Sequence, residues 1–169
     1  MAAPGRDYTD AMAQTIEELK GIDEARFLSI YESSGQSGYG LLDGEVAKLM
    51  KFRPHAIRKL PMAQRARKAR SILMSGSNAE LAYELIGSYL LKNHKELVTG
   101  FLDATGVQHE DGMIEDLDHN TPAEDKIGAA LSELDARFDP ADVTLYLAMC
   151  AQQWPQVKAL DEAWRKRSG

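Results

Sequence analysis

TPAEDKIGAALSELDARFDPADVTLYLAMCAQQWP (121–155) decides the fold class. Within it Ile127, Ala130, Leu131, Leu134 and Phe138 recur at the three-and-four spacing that places side chains on one stripe of an α-helix. Thr121 stands where it can cap the first amides, Pro122 fits the first helical position, and Glu124 can close a capping box. Val143, Tyr146, Leu147, Cys150 and Trp154 repeat the spacing, with Asp139-Pro140 as cap and first residue. Leu145 and Met149 add a second apolar side, so this helix is expected to lie centrally with neighbours on two flanks.

Outward from this stretch the same period continues. Pro155 interrupts the chain, and Val157, Leu160 and Trp164 define a last amphipathic helix with Lys166 and Arg167 at its C-terminal end. Trp154 and Trp164, ten residues apart, do not share a helix face; at least one is expected in the core, and an exposed Trp164 would be a partner anchor. Upstream, Ser77-Asn78-Ala79-Glu80 opens an apolar helix through Leu81, Ala82, Leu85, Ile86, Tyr89 and Leu90. Leu97, Val98, Phe101 and Leu102 continue the pattern until Gly106, a residue suited to the left-handed helix stop. The pattern leaves open whether Asn93 separates two helices. Met12, Ile16 and Leu19 mark a helix ending near Gly21, and Phe27, Leu28 and Tyr31 a second. SSGQSGYG (33–40) reads as a loop or hinge, Asp43 to Met50 as a third helix, and two basic helices open at Pro54 and Pro61. Neither a strand nor a solenoid repeat is evident.

The expectation is a single all-α globular domain over 1–169, with seven or eight helices in an orthogonal or bundle-like arrangement. Its helical core is placed at 78–167, and residues 1–40 are expected as a flexible arm or an oligomerisation element. A chain of 169 residues can bury roughly 70% of its unfolded surface, enough for a core without staples. One cysteine excludes an intrachain disulfide and any multi-cysteine metal centre. No apolar run approaches the roughly 18 residues of a membrane span. The opening MAAPGRDYTDAMAQ lacks a signal peptide's apolar stretch and carries Asp7 and Asp10, which a mitochondrial presequence avoids. The sequence therefore reads as a cytoplasmic protein with no membrane span.

The formal charge of −6 conceals an uneven distribution. Residues 51–75 hold eight Lys and Arg and no acid: Lys51, Arg53, Arg58, Lys59, Arg65, Arg67, Lys68 and Arg70. Residues 103–125 hold eight acids and no Lys or Arg: Asp103, Glu110, Asp111, Glu115, Asp116, Asp118, Glu124 and Asp125. Clustered cations suit phosphate, and arginine adds a planar fork for bidentate contacts. In the second basic helix, Met62, Ala66, Ala69 and Leu73 form a narrow apolar stripe, while the cations fan around the other sides. A groove-binding helix concentrates its cations on one face, so pairing with acids elsewhere in the fold or on a partner is the leading expectation. Nucleic acid and an anionic membrane surface are the alternatives.

Catalytic signatures are weak. Asp116, Asp118 and Asn120 match an EF-hand's first ligand positions, but Thr121 and Ile127 stand where its glycine and bidentate glutamate belong. There is no nucleophile elbow, P-loop or dinucleotide fingerprint. Cys150 shares an apolar stripe and is expected as a buried thiol. Asp103, His109, Glu110 and His119 are the residues on which a metal-dependent enzyme using segment 103–119 would rest. With no catalytic set and no cofactor indicated, the leading expectation is a non-enzymatic protein–protein interaction module, binding another protein or its own copy. A nucleic-acid-binding protein acting through 51–70 comes second.

Overall fold

The computed structural model describes residues 13–51, 53–75 and 78–168. Helices run α1 Gln14–Gly21, α2 Glu24–Met50, α3 Pro54–Arg58, α4 Met62–Met74, α5 Ala79–Asn93, α6 Lys95–Ala104, α7 Glu124–Arg137, α8 Pro140–Gln153 and α9 Lys158–Ser168. The described residues contain no strand, and none of their helices is long and apolar enough to cross a membrane. The all-α class is as the periodicity predicts.

Among the described residues there are ten helical pieces where seven or eight are expected; α2 is broken at Gly35, and His94 separates α5 from α6. The expected loop at 33–40 is helix apart from that break. Gly35 adopts φ +74°, a conformation that side chains resist. Gly38 serves a different purpose: a Cβ there would stand 2.9 Å from the Cβ of Ser88 on α5. The segment's glycines thus serve two needs, the break at Gly35 and the close approach of α2 to α5 at Gly38.

α5 and α8 carry the centre. Leu85, Ile86 and Leu90 of α5 and Val143, Leu145, Tyr146, Leu147 and Ala148 of α8 are buried in one cluster that draws on α1, α2, α4, α6, α7 and α9. Both tryptophans are buried, so Trp164 offers no exposed anchor; its indole N–H donates to Glu18 at 3.0 Å. Ile16 and Leu19 of α1, with Phe27, Ile30 and Tyr31 of α2, belong to the same core. Residues 13–40 of the expected arm are thus packed, while residues 1–12, Met12 included, and Ser77 lie outside the described residues. A small satellite cluster of Val46, Ala47, Ile57 and Ile72 seats α3 on the end of α2 and on α4.

Asp139 accepts the Ala141 N–H at 2.9 Å and Pro140 opens α8 as expected. The α7 start differs. α7 begins at Glu124 with Ala123 as its cap and no side-chain capping bond. The Ala123 N–H donates to the Thr105 carbonyl at 3.0 Å, which holds 121–123 against the end of α6 and keeps Thr121 from capping. Gly106, at φ +78°, ends α6 as expected.

Candidate interaction surfaces

The basic segment divides between the fold and the surface. Arg65 lies on the edge of the Ala66–Ala69–Leu73 stripe of α4 and is buried. Its guanidinium donates to Asp43 of α2, which also accepts from the Tyr31 hydroxyl, and it sits 4.9 Å above the Tyr39 ring. Burial opposes the charge on Arg65, but the hydrogen bond and charge of Asp43 outweigh it and raise its pKa. Burial, then the Asp43 bond, pushes the Tyr31 hydroxyl well above the ordinary tyrosine range. Arg65 Nε is buried with no hydrogen-bond partner among the described residues.

Arg70 reaches the C-terminal end of α1, where unpaired carbonyls carry partial negative charge. It donates to the carbonyls of Ile22, Leu19 (3.3 Å) and Lys20 (3.5 Å) and stacks 5.5 Å from the Phe27 ring. Arg67 pairs with Glu24 on the exposed rim of a cleft of about 330 Å³ whose floor includes Phe27, Leu28, Ala63 and Ala66. Lys68 is half-buried. Lys51, Arg53, Arg58 and Lys59 are exposed and form no ion pair among the described residues. Leu49, 69% exposed, stands at the end of α2 next to Lys51, and Leu41, 55% exposed, lies more than two turns earlier on the same helix. The sequence reading missed these two leucines and the burial of Arg65.

The acidic segment is a folded loop with its own ties. Glu110 and Met113 exchange backbone hydrogen bonds of 2.8 and 2.9 Å. His109 Nδ1 accepts the Gly112 N–H at 3.0 Å, which places the ring hydrogen on Nε2, where it donates to Asp103 at 2.7 Å. Asp111 pairs with Lys95 at 2.6 Å. Asp116 accepts the His119 backbone N–H at 3.2 Å and meets its ring at 3.1 Å, and the backbone bond leads in lowering its pKa. Underneath, the loop covers an apolar groove of about 200 Å³ lined in part by Leu91, Val98, Ile114 and Met149. Its outer side shows Met113, 62% exposed, and Leu117, 38% exposed, among Glu110, Glu115 and Asp118.

No ion pair or hydrogen bond among the described residues joins the basic segment to this loop; the partners of Arg65 and Arg67 are on α2. Nor are the proposed metal ligands assembled. His109 meets Asp103, but His119 turns to Asp116, and no three His, Cys, Asp or Glu among the described residues converge so as to hold a metal ion. Cys150 is buried, and burial pushes its thiol up to about 12, far from a nucleophile's range.

A further polar cluster was hidden from the sequence. Asp142, buried in the first turn of α8, meets Arg26 of α2 at 2.5 Å, the Tyr89 hydroxyl at 2.8 Å and His94 Nε2 at 3.3 Å. Burial foremost, then the Asp142 bond, pushes Tyr89 up to about 12, so it remains a hydrogen-bonding phenol. The cluster ties α2, α5 and α8 together. Comparison with protein-family models, curated proteins and solved structures gives no match for this chain.

Proposed function

We propose that the protein is a non-enzymatic, cytoplasmic interaction module whose working surface is the corner made by the end of α2 and by α3. One observation carries the reading. Four cations stand without ion pairs among the described residues, at the end of α2 that also carries Leu49, more than half exposed. An exposed leucine gains roughly 1.5–3 kcal/mol on full burial, so this corner favours a partner that offers apolar surface together with negative charge. An acidic, amphipathic protein surface has both properties.

Nucleic acid is the second reading, favoured by the same four cations. Neutralising about four phosphates gives a salt slope of about −3.6, a weak, sequence-independent attraction. Leu49 would gain little from a phosphate backbone.

The test compares the wild-type chain with the double variant Leu49→Asp/Arg58→Glu as bait, alongside retardation of DNA and RNA at low salt. The expected result is a protein retained by wild type and released by the variant, with no retarded nucleic acid. Retardation that the variant abolishes transfers the reading to nucleic acid. Equal retention by both baits removes the corner from the function.

A further inference from the structure

Three of the four large exposed hydrophobic side chains among the described residues belong to two patches of opposite charge. Leu49 stands at the end of α2 next to Lys51 and the cations around α3, and Met113 and Leu117 lie with Glu110, Glu115 and Asp118 on the acidic loop. Those three acids form no ion pair among the described residues, and neither do Arg58 and Lys59. Each patch therefore carries what the other lacks, and no ion pair or hydrogen bond among the described residues joins the two within one chain.

We infer that the acidic loop of one copy docks on the cationic corner of a second copy of this chain. The inference rests on the corner being an interaction surface and names its occupant. The loop suits the role because its shape is fixed before docking: the Glu110–Met113 backbone pair, the His109 bonds and the Asp111–Lys95 pair hold it, so little ordering is left for association. Opposite charge steers the two patches together, and Leu49, Met113 and Leu117 exclude water where they meet. The contact uses different patches on the two copies. It closes when two copies engage reciprocally or when a larger ring forms, and otherwise it propagates.

Sedimentation velocity of the full chain, from micromolar to millimolar concentration, tests the contact. Mass is expected to rise with concentration at low ionic strength and to return to one chain at ~0.5 M salt, where the Debye length is about 4 Å. Arg58→Glu/Lys59→Glu and Glu115→Lys/Asp118→Lys should each remain monomeric. Their equimolar mixture should associate again, because each then meets its complement. A wild-type chain that is monomeric throughout, or a mixture that fails to associate, overturns the inference. Circular dichroism checks folding; should a charge-reversed chain unfold, Leu49→Ser and Met113→Ser replace it, each expected to weaken association at least tenfold. If wild type is monomeric yet still retains a protein that Leu49→Asp/Arg58→Glu releases, the second copy is excluded and the interaction reading stands. If it retains none, both fall.

Discussion

α3 with its flanking residues and α4 lie next to each other in the chain and bring four cations apiece, yet they use them differently. Of the four cations at α4, Arg65, Arg67 and Arg70 are bound to an aspartate, a glutamate and a helix end; Lys51, Arg53, Arg58 and Lys59 around α3 are displayed. Reach explains the difference. α4 runs along α2 and meets Glu24, Asp43 and the carbonyls that close α1. α3 has five residues and is held by Ile57 alone in an apolar satellite cluster, with no carboxylate pairing to its cations among the described residues. A basic segment is therefore a poor unit of interpretation, because the function of each charge is set by what another element brings to it.

The comparison can be tested by removing its members in order of effect. The largest belongs to the α4 side and to pH. Tyr31, Tyr83, Tyr89 and Tyr146 all have pKa values raised in the folded state, chiefly by burial. The unfolded chain ionises its tyrosines near pH 10. Stability is thus fully present below that value and is lost as pH rises through the folded range, since only the unfolded state releases those protons. Tyrosinate absorbance should appear together with loss of helical circular dichroism; tyrosines that ionise in a folded chain would contradict the burial.

Arg65→Ala comes next. It leaves Asp43 buried beside Tyr31 without its cation, a loss expected near 3–5 kcal/mol in urea unfolding. Asp43→Asn/Arg65→Met should recover part of it. Arg70→Ala should cost about 1–2 kcal/mol, since three carbonyls and the Phe27 ring lose a charged donor. The smallest effects are at the surface: Arg67→Ala below about 1 kcal/mol, and Arg58→Ala or Lys59→Ala within about 0.5 kcal/mol. If Arg58→Ala destabilised the chain as much as Arg70→Ala, the distinction between engaged and displayed cations would collapse.

Local features were legible in the sequence because neighbours in the chain decide them. The stripes of α7, α8 and α9, the Asp139-Pro140 start and the Gly106 stop all depend on residues within a few positions. The apolar face of α4 was legible too, with Ala66, Ala69 and Leu73 buried as the spacing predicts. Features that failed depend on distant elements. Arg65 is buried because Asp43, on a different helix, faces it. Asp142 reads as an ordinary acid near a helix start, and only the approach of α2 and α5 makes it a hub for Arg26, Tyr89 and His94. SSGQSGYG carries the composition of a loop, but its Gly38 answers to the approach of α5. The display of Leu41 and Leu49 is a failure of the opposite kind, for periodicity identifies apolar residues without saying whether a neighbour arrives to cover them.

The sealed thiol of Cys150 has a practical corollary. With its sulfur enclosed in α8 and its pKa at about 12, the native chain offers almost no thiolate to an alkylating reagent. Modification becomes fast only when α8 opens, so the chain carries its own reporter of opening, readable by mass spectrometry without any added label. A cysteine introduced at a displayed position such as Lys59 would react while the native one stays silent, and a single dye could then be placed at the corner on an otherwise unaltered protein.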